Sequence, residues 1–336
     1  MKKIGGNAAK IRRINRELVM EALAVGEASI AQLARETGLS VATCSNIMSV
    51  LVKCGEALEL SEKESQGGRP ARRYRRNPDA TLVAAILLKK TVADERIACH
   101  ILNAAGTELA RKTSKFSGVG PEQIDAVLED LKDTHPALKA VAFSVPGVVR
   151  KGIVGICELK ALTGMNLEER TVKGHELAVR IDNDMNFAAM GYFKSHAGDG
   201  GGLVFMLFPE NGCPGAGIIV NGSPLSGKSN FAGEIGFIPL PRRWESRKEG
   251  RRRKSEIIAN TVIAVAAVVN PETIVIAREG IGEEMLSEIR EFCREALPSE
   301  HLPEIVFADD YDGHILAGMT AMALESATSG MQLVER

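Results

Sequence analysis

Residues 181–186 read IDNDMN, which places two carboxylates and two carboxamides within one short stretch, directly after the strand-like run LAVR. Side chains of these types supply paired donors and acceptors, so they can bind the hydroxyls of a polyol or hold a metal ion. A carboxylate in this position can also take a proton from a substrate hydroxyl during catalysis. A simpler interpretation is that Asp182 and Asp184 only cap the helix that follows.

A second group with a specific chemistry lies near the start of the chain. The segment QGGRPARRYRRNP contains five arginines between Arg69 and Arg76. Residues 1–80 hold 14 Lys/Arg and 9 Asp/Glu, a net charge of +5, whereas the remaining residues have a net charge of −6. Such an asymmetry indicates a basic module that faces nucleic acid, joined to a neutral or acidic one.

Helical patterns precede these arginines. The run IRRINRELVMEALAVG places four apolar residues on one face of a helix, namely Ile11, Ile14, Leu18 and Leu23. Gly26 ends that helix, Ser29 caps a short second one, Gly38 lies in the turn, and Ser40 caps a third. Two short helices joined by such a turn form a helix-turn-helix, whose second member enters the major groove of DNA.

This pattern predicts that residues 1–76 form a winged helix-turn-helix. Its last helix is expected to bury Val41, Cys44, Ile47 and Leu51. The predicted DNA-contacting residues are Ser40, Thr43, Ser45, Asn46, Arg69, Arg72 and Arg73. Asn46 suits an adenine, and the arginines of the Gly-Gly-Arg-Pro wing can reach phosphates or the minor groove. The alternative for the arginine segment is a solvated, charged loop.

Residues 77–336 alternate short apolar runs with helical patterns, which predicts an α/β domain with mixed sheets in two lobes. The predicted strands are TLVAAILL, RIACHIL, KAVAFSV, LAVRI, GLVFMLF, GAGIIV, ETIVIA and EIVFA. The predicted helices lie near residues 121–133, 184–196, 255–269, 279–297 and 312–328. No internal repeat is visible in the sequence.

Five motifs follow one another in this second part of the chain: VAFSVPGVV, TGMNL, RIDNDMNFAAMG, GAGIIVNG and FAGEIGF. Together with the arginine-rich wing, this order resembles the ROK family of sugar kinases and sugar-responsive repressors, in its repressor branch. The resemblance covers nearly the whole chain. It implies an α/β fold in which the winged helix is joined to a two-lobed, actin-like (ribonuclease H-like) ATPase-type domain, with a sugar in the cleft.

The resemblance also implies which side chains contact the sugar. By matching position these are Asn166, Asn183, Asp184 and Glu234. Their amides and carboxylates suit vicinal hydroxyls. In the kinase members of the family, the residue that matches Asp184 is the general base for the hydroxyl to be phosphorylated.

Three nucleotide-binding segments of the family are altered in this chain. AILLKKTVADERI offers no glycine and no acidic residue before Asp94 in the turn that should hold phosphate. The loop NGCPGAG has Asn211 and Cys213 in place of glycines, and Pro214 lacks an amide donor. Ala277 and Arg278 stand where the family tends to have two glycines. Phosphoryl transfer needs such positioned donors, so a catalytically degenerate domain is predicted.

The zinc site of the family is altered as well. The position of its histidine ligand, which also contacts the sugar, is Phe237, and no cysteine follows in IPLPRRWESRKEGRRRKSE. No metal and no cofactor are therefore predicted. The basic run from Arg242 to Lys254 has two open interpretations, a site for phosphate groups or a solvated loop.

These observations predict a cytoplasmic, DNA-binding transcriptional regulator, a repressor that senses a sugar or a sugar phosphate and has no enzymatic activity. No secretory signal and no membrane span are predicted. The expected partners are a double-stranded DNA operator, the small effector, and further copies of the chain in a dimer or tetramer. Two alternatives stay open: an active ATP-dependent sugar kinase, and a regulator that has lost its small-molecule ligand.

Overall fold

The computed structural model describes residues 5–60, 72–196, 201–209, 213–239, 250–277 and 281–330. The chain divides into two compact units, Met1–Leu82 with Asn103–Ala105, and Val83–Leu102 with Gly106–Arg336. Within the described ranges, no helix combines the length and the apolar character that crossing a bilayer requires.

The first unit is a three-helix module with a small sheet. Its elements are α1 (Gly5–Val25), β1 (Ala28–Ser29), α2 (Ile30–Thr37), α3 (Val41–Lys53), β2 (Ala57–Leu60) and β3 (Arg73–Arg76). The strands form a three-stranded antiparallel sheet in the order β1-β3-β2. Three helices followed by a hairpin are the arrangement of a winged helix-turn-helix.

The predicted helix caps of this unit are confirmed. The Ser29 hydroxyl accepts a hydrogen bond from the Gln32 amide at 3.3 Å, and the Gln32 side chain accepts one from the Ser29 amide at 2.8 Å, which is a complete capping box. Gly38 ends α2 with a φ of 72°, and Ser40 caps α3 by accepting from the Thr43 amide at 3.1 Å. The turn between the two helices is therefore fixed by local hydrogen bonds.

Replacing Ser29 with Ala is expected to lower the stability of α2 by about 1 kcal/mol, because it removes the hydroxyl that accepts from the Gln32 amide, whereas the bond from the backbone amide of residue 29 to the Gln32 side chain is kept. Amide hydrogen exchange across α2 measures this change locally. Ser49→Ala is the matched control, because the Ser49 hydroxyl is exposed and bonds only to the carbonyl of Ser45 within α3. Equal protection of α2 in both variants would contradict the assignment.

The core of the first unit differs in detail from the predicted one. In α1, Val19 and Leu23 are buried, but Ile11, Ile14 and Leu18 are 51%, 41% and 36% exposed. In α3, Val41 is 58% exposed and the buried face consists of Cys44, Met48 and Leu51. The prediction for Val41 was wrong because the inward face of α3 follows a spacing of four and then three residues from Cys44, which leaves the first turn outside the core.

The second unit contains two five-stranded sheets. The first has the strand order β10-β7-β4-β5-β6. Its elements, in chain order, are β4 (Leu82–Lys90), β5 (Glu95–Asn103), β6 (Glu108–Phe116), α4 (Pro121–Thr134), β7 (Leu138–Ser144), a β8 (Gly147–Arg150) to β9 (Ile153–Cys157) hairpin, α5 (Leu167–His175), β10 (Ala178–Asp182) and α6 (Asp184–His196).

The second sheet has the order β13-β12-β11-β14-β15. Its elements are β11 (Leu203–Leu207), β12 (Gly215–Val220), β13 (Ser223–Pro224), α7 (Gly250–Val269), β14 (Thr273–Ala277), α8 (Glu283–Ala296), β15 (Glu304–Ala308) and α9 (Tyr311–Gly330). Each sheet thus has its first strand in the centre, two later strands on one side and two on the other. The two halves share one topology, although the sequence shows no repeat.

The helices α6 and α9 each follow the last strand of a sheet, and they pack against each other between the two sheets. Their backbones approach closely, because a Cβ on Gly191 would lie 1.9 Å from the His314 carbonyl oxygen and a Cβ on Gly318 would lie 1.9 Å from that of Phe187. One core joins these helices to strands of both sheets. The first residues of α6 and α9 are consequently held at a common place.

Candidate functional site

The polar stretch after β10 has a structural function in part. Asp182 is buried, and its Oδ1 accepts hydrogen bonds from the Asn183 amide at 3.0 Å and from Nδ2 of Asn186 at 2.6 Å. Oδ1 of Asn183 accepts from the Asn186 amide at 2.8 Å and so caps α6. Asp182 and Asn183 therefore shape the start of the helix, whatever else they bind.

Asp184, the first residue of α6, has a different environment. Its Oδ1 accepts from the Met185 amide at 2.9 Å, and its carboxylate also accepts a hydrogen bond from the Tyr311 hydroxyl at the start of α9. Burial raises the pKa of Asp184, although these hydrogen bonds and the positive charge of Lys89 act in the opposite direction. A carboxylate whose charged form is destabilised gains from any ligand that donates hydrogen bonds to it.

Glu234 lies near Asp184 in space, on a segment that follows β13. Burial raises the pKa of Glu234, and the negative charge of Asp184 raises it further. The segment is held in place by main-chain pairing with β12, where the amide of Ala216 donates to the carbonyl of Gly233 at 2.8 Å. Gly233 has a φ of 94°, and a Cβ there would lie 2.0 Å from the Ala216 carbonyl oxygen, so only glycine fits.

Asn166 is the least connected of the four predicted sugar-binding residues. It caps α5, where its Oδ1 accepts from the Glu169 amide at 3.0 Å and its Nδ2 donates to Oε2 of Glu169 at 3.2 Å. No contact in the described part of the chain links it to Asp184 or Glu234. The structure therefore brings Asp184 and Glu234 together, with Asn183 beside them in the chain, and places Asn166 on a separate helix start.

Two residues of this cluster are absent from the motifs in the sequence. Tyr311 follows β15 as Asp184 follows β10, so the shared topology of the two halves brings both helix starts together. Lys89 is the penultimate residue of β4; its positive charge acts on Asp184, and its Nζ lies 3.6 Å from Oδ1 of Asp312. Only the repeated strand order could have indicated Tyr311, and that order is not visible in the sequence.

In the turn between β4 and β5, the expected first phosphate loop, backbone N–H groups donate hydrogen bonds to acceptors within the turn itself. The amides of Ala93 and Asp94 both donate to the Thr91 hydroxyl, at 3.3 and 3.0 Å, and the Thr91 amide donates to the Asp94 carbonyl at 2.8 Å. Ion pairing with Arg96 and the hydrogen bond from Thr91 lower the pKa of Asp94. Three backbone N–H groups that could cradle a phosphate are thus already satisfied within the turn.

The second predicted phosphate loop keeps its glycines for packing. A Cβ on Gly217 would lie 2.1 Å from the Met185 carbonyl oxygen, and one on Gly215 would lie 3.2 Å from the Met185 side chain. Pro214 has no N–H, and its carbonyl accepts from Gly236 at 3.1 Å. Asn211 and Arg278 lie outside the described residues, while Ala277 is buried at the end of β14.

The position that matches the family's histidine ligand is an exposed aromatic residue. Phe237 is 61% exposed and contacts Phe231, with 5.0 Å between the ring centroids. In the parts of the chain that the structure describes, no group of three or more His, Cys, Asp or Glu side chains is arranged to hold a metal ion. Most of the basic run from Arg242 to Lys254 lies outside the described residues, and Lys254 is buried.

The predicted DNA-contacting residues of α3 lie on its outer side. Ser40, Asn46 and Ser49 are exposed, whereas Thr43 and Ser45 are half-buried. The hydroxyls of Ser40 and Thr43 are 2.8 Å apart and bond to each other. Asn46 is therefore the residue whose amide can reach a base edge with least rearrangement.

The arginines of the wing have acidic neighbours in their own unit. Arg72 lies 3.2 Å from Oε1 of Glu59, and Arg73 donates to the Glu27 carbonyl at 2.9 Å. Contact with DNA phosphates would replace these exposed interactions, which contribute little to the stability of the fold. Arg69 lies outside the described residues.

Residues 94–250 match the profile of the ROK family. Among characterised relatives, a protein named "Xylose repressor" from Caldicellulosiruptor bescii is 25% identical over 248 residues, which cover 70% of this chain and 61% of the relative. The chain thus spans less than two thirds of the length of that relative.

Solved structures share the fold. A ROK family transcriptional regulator, described as a homologue of the E. coli MLC protein, covers 97% of this chain and is itself covered completely, with a TM-score of 0.68 at 19% identity. A ROK family glucokinase from Streptomyces griseus, solved with glucose and AMPPNP, matches 73% of this chain and 99% of its own, with a TM-score of 0.57 at 16% identity. The predicted α/β fold with an actin-like domain is confirmed, as is the resemblance from which it was derived.

Proposed function

Since residues 94–250 belong to the ROK family, we propose that the chain is a DNA-binding transcriptional repressor whose sugar kinase-like domain senses a sugar or a sugar phosphate without transferring a phosphoryl group. The first unit is the DNA-binding module and the remainder is the sensor. The likeness to a protein named as a xylose repressor supports this assignment and makes D-xylose the first sugar to test.

The observation that carries the sensor half of the proposal is the pairing of Asp184 with Glu234. Both carboxylates have a raised pKa, and Glu234 is affected by the charge of Asp184. Sugar hydroxyls that donate to this pair would stabilise its charged form, and Asn183 and Asn166 would add amide contacts. Such a site binds a neutral, hydroxyl-rich molecule more readily than an anion placed directly on the carboxylates.

The occupied donors of the turn from Thr91 to Asp94 support sensing rather than catalysis. A kinase must offer free N–H groups to the phosphates of its nucleotide, and here three of them bond within the turn. Without a bound nucleotide, there is no phosphoryl group for the substrate oxygen to attack. Asp184 can still accept a hydrogen bond from a sugar hydroxyl. Sustained consumption of Mg-ATP with any hexose, abolished in Asp184→Asn, would contradict this half of the proposal.

For the DNA-binding half, the two kinds of contact predict two kinds of defect. Asn46→Ala is expected to cost about 1–3 kcal/mol at one base pair of the preferred site and to relax the choice of base there. Arg72→Ala is expected to weaken all duplexes alike and to reduce the salt dependence of binding by about one phosphate contact. Lys112→Ala, which removes an exposed lysine of the second unit, is the control.

The measurement begins with selection of duplexes from a random-sequence DNA pool by the full-length protein. The selected duplex is then titrated at several salt concentrations, with and without D-xylose, D-glucose and their 6-phosphates where these exist. A symmetric selected site would agree with a dimer or tetramer of the chain. If the pool gives no enriched duplex, the DNA-binding half fails. If duplexes are enriched but no sugar changes their affinity, the sensor half fails.

A further inference from the structure

We propose that α3 reads A·T base pairs, and that Val41 and Ala42 on its first turn contact the 5-methyl groups of thymine in the major groove. The inference rests on the proposed function of the first unit as a DNA-binding module and names the bases that this module selects. Neither residue belongs to the predicted DNA contacts, and the sequence pattern assigned Val41 to the core.

The residue types of α3 limit the bases that it can read. Its sequence is VATCSNIMSVLVK, so its one charged residue is Lys53 at the end of the last turn. Guanine is usually read by Arg or Lys and cytosine by Glu or Asp, whereas Ser and Thr bond any base and select none. The part of α3 before Lys53 therefore offers only two selective groups. They are the amide of Asn46, which matches adenine, and exposed methyl groups, which match the 5-methyl group of thymine.

Val41 is held outside the core by the hydrogen bonds that start the helix. The Ser40 hydroxyl accepts from the Thr43 amide at 3.1 Å, and the Ser40 carbonyl accepts from the Cys44 amide at 3.0 Å. The buried face begins only at Cys44, and Val41 is 58% exposed. The first residues of a recognition helix are the ones that contact base edges in the major groove. The apolar side chain of Val41 can therefore reach the groove.

Ala42 and Asn46 lie on one side of α3, one turn apart. Residues four positions apart share a helix face, and both of these are exposed. Four residues advance a helix by about 6 Å, which is close to two steps between base pairs of about 3.4 Å each. When Asn46 bonds an adenine, the methyl groups of the first turn therefore lie about two base pairs further along the groove.

A second exposed valine in the same helix provides a matched control. Single exposed apolar residues are ordinary at a protein surface, so the exposure of Val41 alone would indicate nothing. Val50 is 56% exposed, almost as much as Val41, but it stands in the last turn of α3, away from the turn that enters the groove. The position of Val41 is what distinguishes the two.

The test replaces thymine by uracil, which removes the 5-methyl group and keeps the hydrogen-bonding groups of the base. The full-length protein first selects its preferred duplex from a random-sequence pool, and the thymines of one half-site are then replaced one at a time. We expect uracil at one or two positions near the adenine that Asn46 reads to weaken binding by about three- to tenfold, the effect of one or two buried methyl groups.

Val41→Ala should weaken the binding of the thymine duplex by a similar factor, because it removes the other partner of the same contact. On the duplex with uracil at that position, the substitution should have almost no further effect. Val50→Ala should leave the affinity for both duplexes unchanged. Alanine is a good helix former, and thermal unfolding of both variants verifies that the fold is kept.

The outcomes separate this inference from the proposed function. If a duplex is selected but no replacement of thymine by uracil weakens binding, the methyl contact is overturned and the DNA-binding module stays. A G·C pair at the position where Asn46→Ala relaxes the choice of base would overturn the reading of A·T pairs. Equal weakening of thymine and uracil duplexes by Val41→Ala would show a merely structural role and would overturn the contact as well. Failure to select any duplex would overturn both proposals.

Discussion

Asp184→Asn is expected to weaken the binding of the effector sugar by about 10- to 150-fold, because hydrogen bonds to a charged group contribute about 1.5–3 kcal/mol. The same substitution is expected to raise the stability of the sugar-free protein at neutral pH. Burial raises the pKa of Asp184, so its charged form is strained in the folded chain. Asparagine has the same shape without the charge and can still accept from Tyr311.

The pH dependence follows from the direction of this shift. The fold prefers the protonated form of Asp184, so the stability that this group contributes is complete below the ordinary pKa of an Asp, about 3.9, and is lost as the pH rises through the raised value. The difference in melting temperature between Asp184→Asn and the wild type should therefore be largest at neutral pH and should disappear in acid. Each kcal/mol relieved corresponds to about 2–4 °C.

Thermal scans from pH 4 to pH 8, with sugar titrations at pH 7, measure both effects. Asp133→Asn is the matched control, because Asp133 is an exposed carboxylate on α4. It should shift neither the melting temperature nor the affinity. A stabilised Asp184→Asn variant that binds sugars as the wild type does would remove Asp184 from the site. If Asp184→Asn is not more stable than the wild type at neutral pH, the charged form of Asp184 is not destabilised in the folded protein.

The strands of the second unit could be predicted where burial dictates their composition. The apolar run before Lys89 became β4, and ETIVIA became β14, because a strand covered on both faces is mostly apolar. Glu108–Phe116 forms β6 without having been predicted, since it is an edge strand whose residues are mostly exposed. The helix Leu167–His175 was also missed, because it is short and mostly polar.

The carboxylates of the site could be predicted from the sequence, but their spatial arrangement could not. Asp184 and Glu234 stand in recognisable motifs, whereas Tyr311 and Lys89 meet them only through the arrangement of strands that are distant in sequence. Predicted local bonds, such as the caps of α2 and α3, depend on neighbours in the chain and were correct. Long-range contacts between elements depend on a topology that the local pattern of residues does not contain.

Gly318→Ala is expected to destabilise the second unit by about 3 kcal/mol, the upper part of the usual range for inserting a methyl group into a packed core. The added Cβ would lie 1.9 Å from the Phe187 carbonyl oxygen and 2.9 Å from the Gly191 nitrogen, and these backbone atoms cannot turn away as a side chain would. The helices α6 and α9 would have to separate. Because Asp184 and Tyr311 begin these two helices, their separation should also weaken sugar binding.

Urea unfolding and sugar titration of the same variant measure both consequences. The control is Gly174→Ala in α5, where an added Cβ meets no atom within 4 Å. This control should increase stability by about 0.5–1 kcal/mol, because alanine is the better helix former.

Gly191→Ala probes the same crossing from the other helix, with a Cβ 1.9 Å from the His314 carbonyl oxygen. Once one substitution has separated the helices, the second should cost much less, so the double variant should be clearly more stable than the sum of the single effects predicts. Additive effects, or a Gly318→Ala variant as stable as the wild type, would show that α6 and α9 do not cross in backbone contact. The link between the helix crossing and the sugar site would then be lost.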